Sequence, residues 1–257
     1  MILHESVKSQ PSFWAMFSSA KDRENELIRE IKSLNKALEL FTYSTSHDLR
    51  APITTMMGLV NLIDREEDVK NVKLYTQMMR KSLEKQDFFL QNISELLKIA
   101  RLEVTKSKID LHSLIEETFD HLSYLDGAHE VEKTIDIKNS HPVVISDRVR
   151  LWVMLNNLLS NAIKFQRVDS GKKKIEVEVI VTKKRVKIII CDNGIGIEPE
   201  HQDKVFDMFY RATDYNTGSG LGLYIVKETL SSLDGKITIT SKKNKGTCVE
   251  VQVSNLV

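Results

Sequence analysis

Four groups of residues in this chain have types and spacings suited to chemistry. His47 and Asp48 are adjacent in Ser46-His47-Asp48-Leu49-Arg50-Ala51-Pro52. A carboxylate hydrogen-bonded to one imidazole nitrogen fixes the tautomer and leaves the other nitrogen a better nucleophile. Asn157 and Asn161 stand at i, i+4, on a polar stripe with Arg150 and Lys164. Asn is a poor helix former, so this stripe points to a site rather than a solvated face. Two amide oxygens and an ammonium suit a hydrated Mg²⁺ carrying phosphates. Asp192 ends an apolar run and is followed by Asn193-Gly194-Ile195-Gly196-Ile197. Its carboxylate could accept from an exocyclic amine, while Gly194 and Gly196 let the backbone approach a flat ring. Gly218-Ser219-Gly220-Leu221-Gly222-Leu223 opens a helical pattern, where glycines and free N–H groups make an anion site. That run follows no strand of a βαβ unit, which argues against a dinucleotide fold, and it does not match the P-loop pattern.

The elements that must position these groups change texture near residue 103. From about Lys21 to Leu102 the spacing predicts two long helices. One seam row reads Leu27, Leu34, Phe41, Asp48, Thr55, Leu62 and its companion Ile31, Leu38, Thr45, Pro52, Leu59. After the charged break Asp64–Asp68 the rows resume with Val72, Met79, Gln86, Ile93, Ala100 and with Thr76, Leu83, Leu90, Leu97. Sevenfold spacing is that of a coiled-coil seam. An antiparallel hairpin alone buries little, so a second copy is expected, giving a dimeric four-helix bundle. Pro52 withholds an N–H from the Asp48 carbonyl and is expected to bend the first helix. Residues 1–21 are expected to be a poorly ordered lead-in, 22–102 the hairpin, and 104–257 a second domain.

In that second domain the pattern predicts helices over Leu111–Leu122, Asp147–Phe165, Glu200–Phe206 and Leu221–Leu233. Strands are expected at Thr134–Ile137, Val143–Ser146, Lys174–Thr182, Arg185–Cys191, Lys236–Ser241 and Thr247–Val253. Helices and antiparallel strands in this mixture suggest a two-layer α+β sandwich.

Composition narrows the classes further. The 257 residues include 37 Lys+Arg and 36 Asp+Glu, for a net charge of +1, so no global charge draws the chain to nucleic acid. No apolar stretch approaches the ~20 residues of a membrane span. MILHESVKSQ has neither a basic start nor a long apolar core, so no signal peptide is expected. Cys191 and Cys248 each lie in an apolar run and are read as two buried free thiols in a reducing, cytoplasmic setting.

Taken in order, these segments resemble the sensor histidine kinases of two-component systems, over about residues 22–253. Phe41–Pro52 is similar to the H-box, Asn157–Phe165 to the N-box and Asp192–Ile197 to the first glycine box. Val205-Phe206-Asp207-Met208-Phe209-Tyr210-Arg211 is similar to the F-box, Gly218–Leu223 to the second glycine box, and Gly246-Thr247 opens the last. The resemblance implies a Bergerat-type ATP-binding fold for the second half. It implies His47 as phosphoacceptor assisted by Asp48, and Asn161 with Asn157 as Mg²⁺ ligands. Lys164 would contact phosphate, Phe165 would pack near the nucleotide, and Asp192 would read the adenine amine with Thr247 beside it. Gly194, Gly196, Ile197, Phe209, Gly218, Ser219, Gly220, Leu221, Gly222 and Leu223 fall in the nucleotide-binding boxes. Arg211 and Ala212–Thr217 look like the ATP lid.

The implied partners are a second copy of the chain, a response regulator receiver domain, and an upstream sensor domain or protein. The implied activity is autophosphorylation of His47 by ATP and transfer to a receiver aspartate. Two other readings compete: an ATP-binding signalling module that acts by protein contacts without autophosphorylation, and an ATPase of the same nucleotide fold. His47, Asn161 and Asp192 weigh against the first, and His-Asp-x-x-x-Pro on a helical hairpin against the second. One departure stands out. Where many relatives carry Thr or Asn four residues after the phosphoacceptor, this chain has Ala51, which puts phosphatase activity in doubt.

Overall fold

A computed structural model describes residues 11–101, 103–139, 141, 143–167, 171–212 and 218–257. It divides into two compact units at Thr54 and Thr55. Helix α1 runs Pro11–Ile63 and continues through Pro52. Residues 11–21 of the expected lead-in are thus helical, and residues 1–10 lie outside the described residues. The break at Asp64–Asp68 falls where the charged run is, and α2 follows at Val69–Arg101. Asp68 Oδ1 accepts the Lys70 amide at 2.9 Å, and Glu66 Oε1 accepts the Asp68 amide at 3.0 Å. These bonds satisfy donors that a helix start leaves open. The seam residues Leu27, Ile31 and Leu38 of α1 are exposed, as are Leu83, Leu90 and Leu97 of α2.

The second unit carries a five-stranded sheet covered on one face by helices. In chain order the elements are β1 Ser107–Lys108, α3 Leu111–His121, β2 Val131–Asn139, β3 Ile145–Ser146, α4 Arg148–Lys164, β4 Lys173–Val181 and β5 Arg185–Asp192. Then come α5 Pro199–Gln202, α6 Gly222–Ser232, β6 Lys236–Lys242 and β7 Gly246–Ser254. The sheet order is β2-β4-β5-β7-β6, with β1 and β3 forming a separate small pair. β-Branched residues alternate inward along β4, where Ile175, Val177, Val179 and Val181 are buried. They meet Leu151, Leu155, Leu158 and Ala162 of α4 and Val226 and Leu230 of α6 in one core. Leu155 is fully buried, and truncating such a leucine to Ala costs about 2–5 kcal/mol.

Three expectations need correction. β2 pairs with β4 in parallel, so the sheet is mixed rather than antiparallel throughout. The helix expected over Glu200–Phe206 is a single turn, Pro199–Gln202, followed by turns that end at Phe209 with φ +64°. Cys191 and Cys248 are not free thiols: they face each other across β5 and β7 and are joined as a disulfide.

The texture change near residue 103 lies between α2 and β1, while the compact unit reaches back to Thr55 because α2 packs on α6. Arg150 reinforces this join. It is 4% exposed, pairs with Asp147 at 2.7 Å, and donates to the carbonyls of Ile99 and Glu103 and to Ser232 Oγ.

Candidate functional site

Helix α4 supplies one wall of the site. Asp147 caps it, accepting the Arg150 amide at 3.0 Å, which fixes where the helical stripes start. Burial opposes ionisation of Asp147, but the donors of Arg150 and Thr105 outweigh it and hold its carboxyl below the usual range. Arg150 itself, placed by its spacing on the polar stripe, is committed to that buried pair and does not line the site.

The rest of the stripe does line a cavity of about 160 Å³: Asn157, Asn161, Lys164 and the helix cap Phe165. Asn157 is 4% exposed and donates Nδ2 to the Val153 carbonyl at 2.9 Å. Its Oδ1 would lie 3.1 Å from a Cβ placed on Gly222, and Asn161 Nδ2 and Oδ1 would lie 3.7 Å and 3.8 Å from the same point. Both side-chain amides thus lie beside Gly222 and line the cavity, each with one oxygen to offer. That donor set fits a hard, oxygen-seeking cation such as Mg²⁺. Burial lowers the Lys164 ammonium to about 8.

A second wall is built where β5 stops, and the Ile195 amide there donates to the Phe165 carbonyl at 2.9 Å. Asp192 stands opposite Thr247 in the β5–β7 register. Its Oδ1 accepts the Gly194 amide at 2.8 Å and the Thr247 amide at 3.3 Å. Burial pushes the carboxyl up to about 6 against the pull of those two donors. The backbones close tightly here: a Cβ on Gly246 (φ +105°) would lie 1.9 Å from the Asp192 carbonyl oxygen. Ser241, which sequence reasoning missed, holds this corner by accepting the Ile197 amide at 2.8 Å and contacting Thr247 Oγ1 at 2.8 Å. Gln202, also missed, donates to the carbonyls of Ile197 and Ser241.

The third wall is the Gly218–Gly222 run. Phe209 donates its amide to the Gly220 carbonyl at 3.0 Å, and Ser219 Oγ accepts the Leu221 amide at 3.3 Å. Of the residues singled out by sequence, the structure brings Gly196, Ile197, Arg211, Gly218, Ser219, Gly220, Gly222, Leu223 and Thr247 to the same cavity. Gly194, Phe209 and Leu221 do not line it. Gly194 turns the chain behind Asp192, Phe209 braces the Gly220 turn, and Leu221 is fully buried beneath α6. Ala212 lines the cavity, and residues 213–217 of the expected lid lie outside the described residues.

Helix α2 contributes two residues that sequence reasoning missed. Asn92, 3% exposed, donates Nδ2 to Ser219 Oγ at 3.2 Å and lines the cavity. Glu95 accepts a hydrogen bond from the Asn157 side chain, and its Oε2 is buried without a hydrogen-bond partner. Burial pushes Glu95 up, against the pull of Asn157 and Lys98. On a helical wheel both look like members of a solvated stripe.

In the first unit, His47 is exposed on α1 and its Nδ1 lies 3.1 Å from Asp48 Oδ1. In the neutral tautomer that donates from Nδ1, Nε2 carries the free lone pair.

Residues 146–256 match the family described as Histidine kinase-, DNA gyrase B-, and HSP90-like ATPase, and this segment is a domain of that family. Over most of its length the chain is similar to proteins named as sensor histidine kinases. It is 31% identical over 234 residues to the methanogenesis regulatory histidine kinase FilI of Methanothrix harundinacea (strain 6Ac), covering 90% of this chain and 26% of that protein. It is 26% identical over 236 residues to the sensor protein CiaH of Streptococcus pneumoniae, covering 88% of this chain and 52% of that protein. The chain thus spans about a quarter of the first relative and about half of the second. In fold it is similar to the histidine kinase ThkA, solved in complex with the response regulator protein TrrA. The TM-score is 0.66 at 19% identity, over 97% of this chain and 69% of that one. No helix among the described residues is long and apolar enough to cross a membrane.

Proposed function

We propose that this chain is an ATP-dependent protein histidine kinase that phosphorylates His47 and passes the phosphoryl group to a response regulator aspartate. The observation that carries the reading is the set of side chains that share one cavity. A half-buried carboxylate, Asp192, lines it together with Asn157, Asn161 and Lys164, which stand on a single helix.

In this reading Asp192 accepts from the adenine amino group, with Thr247 beside it. Phe165, Ile197 and Leu223 flank the base. Asn157 and Asn161 hold Mg²⁺, which when bound neutralises the phosphates. Lys164, Arg211 and the amides of the Gly218–Gly222 turn neutralise and orient them further, with Ala212–Thr217 as the lid. Phosphoryl transfer asks for positioning and charge neutralisation rather than elaborate covalent chemistry. Asp48 keeps the proton on Nδ1 of His47, so Nε2 attacks the γ-phosphorus. A P–N bond forms as the P–O bond to ADP breaks, and the Nδ1 proton stays in place.

The exposed seams of α1 and α2 support pairing with a second copy, with residues 22–102 as the dimerising and phosphoacceptor part and 104–257 as the catalytic part. By analogy with the ThkA complex, the downstream partner is a response regulator. The upstream input would come from a sensor domain or protein, and the reaction would take place in the cytoplasm.

Incubation of the chain with γ-labelled ATP tests the reading. The expected result is acid-labile, base-stable label on the protein that chases to a receiver domain. It should be absent in His47→Gln, which still binds ATP, and in Asn161→Ala, whose defect tracks the metal. Label that survives acid, or persists in His47→Gln, refutes the assignment. Sedimentation as a monomer at micromolar concentration refutes the dimer.

A further inference from the structure

Cys191 and Cys248 occupy facing positions of β5 and β7, joined as a disulfide with their Cα atoms 4.1 Å apart. The next facing pair in the register is Asp192 and Thr247. Alternation decides what each pair meets. Val186, Ile188 and Ile190 of β5 and Val249, Val251 and Val253 of β7 point into the core. The two cysteines point to the other face of the sheet and are half-buried there. A small thiol can therefore reach the sulfurs from outside while the residues one step along face the cavity.

The cross-link holds the strands close. Facing residues in an antiparallel pair are ordinarily ~4.5 Å apart at non-hydrogen-bonded positions and ~5.5 Å at hydrogen-bonded ones. The distance at Cys191 and Cys248 is shorter than either. One step away, the Thr247 amide reaches Asp192 Oδ1 at 3.3 Å, already long for an N–H···O bond. Any spreading of the strands lengthens that contact first.

We propose that Cys191 and Cys248 form a reversible thiol–disulfide site, and that its reduction weakens adenine nucleotide binding by loosening the Asp192–Thr247 pair. A dithiol supplies the electrons. One thiolate attacks a cysteine sulfur, the Sγ–Sγ bond breaks, and a mixed disulfide forms. The second thiol of the reductant then attacks that mixed disulfide. Two electrons and two protons end on Cys191 and Cys248, and the reductant leaves as its own disulfide. The coupling rests on the nucleotide reading of the cavity; the redox site itself does not.

The test compares the chain treated with oxidised glutathione and the chain treated with dithiothreitol, with peptide mapping of the 191–248 link. Calorimetry with ADP should give an affinity roughly two- to ten-fold higher for the oxidised form, the worth of about one neutral hydrogen bond. The double variant Cys191→Ser, Cys248→Ser should match the reduced form under both treatments. Without nucleotide, the Thr247 amide should exchange its hydrogen faster after reduction. Absence of a linked peptide after oxidation overturns the proposal, as does an equal ADP affinity in the two states. If ADP binds neither form, the nucleotide reading fails instead. Thr247 exchange then decides: faster in the reduced chain supports the redox site, unchanged exchange overturns it.

Discussion

Across β5 and β7 the Thr247 amide donates to the same oxygen of Asp192, Oδ1, that accepts the Gly194 amide. Both backbone donors therefore use one oxygen, and neither of these bonds takes up Oδ2. The carboxyl is at the same time pushed up to about 6 by burial.

A bell-shaped dependence of nucleotide affinity on pH follows. A ligand amine prefers the ionised carboxylate, so affinity should rise as pH climbs through about 6. Phosphates prefer the Lys164 ammonium, so affinity should fall above about 8. Calorimetry with ADP across this range checks both limbs. Asp192→Asn should erase the acid limb and cost about 1.5–3 kcal/mol, roughly ten- to a hundred-fold in affinity. Wild-type binding in that variant would break the adenine assignment.

Gly246→Ala should abolish nucleotide binding and destabilise the second unit. The new Cβ would meet backbone, the Asp192 carbonyl oxygen at 1.9 Å and Asn193 Cα at 2.8 Å, neither of which can rotate away. The backbone conformation alone costs about 1–3 kcal/mol for a residue with a side chain. Urea unfolding together with ADP titration measures the two losses, and normal behaviour in both would contradict the packing described.

Glu95 gives a stability dependence of the opposite sign to an ordinary surface carboxylate. Its folded pKa is raised, so its favourable contribution is complete below the unfolded value and is lost as pH rises through the folded one. Glu95→Gln removes the charge and keeps the shape. The variant should gain on the native chain in urea midpoint as pH rises above the ordinary carboxylate value of 4.5, and a gap that does not grow would refute the burial of the charge.

Ala51 lies one helical turn after His47, on nearly the same face of α1. A methyl group cannot orient a water for attack on a partner's phospho-aspartate. The chain is therefore expected to be kinase-biased, and Ala51→Thr should speed dephosphorylation of the receiver more than it changes self-labelling. Decay of the phosphorylated partner with ADP present measures this; fast decay with the native residue would show that the side chain is not needed.

Much of the site was legible in the residues because helical and strand periodicity carry it. Leu151, Leu155, Leu158 and Ala162 marked the buried face of α4, and that alone placed Asn157, Asn161 and Lys164 on one neighbouring stripe. Strand alternation likewise located β4, β5, β6 and β7. What it could not carry was the identity of neighbours. Alternation along β2 is the same whether its partner runs parallel or antiparallel. The facing of Cys191 and Cys248 depends on a register between strands 57 residues apart. Asn92 and Glu95 belong to a helix whose polar residues look solvated until α6 is set against it. Arg150 misled for a related reason, since a buried ion pair and a ligand-facing cation occupy the same kind of helical position.

The place of β7 between β5 and β6 has a consequence for how the chain comes into being. A nascent polypeptide released only as far as Lys245 has both flanking strands and nothing to join them. It also lacks Thr247, which faces Asp192 across the two strands. On the proposed nucleotide reading, the site is complete only once β7 has taken its place between β5 and β6. A chain clipped before Gly246 should, on that reading, bind no ADP.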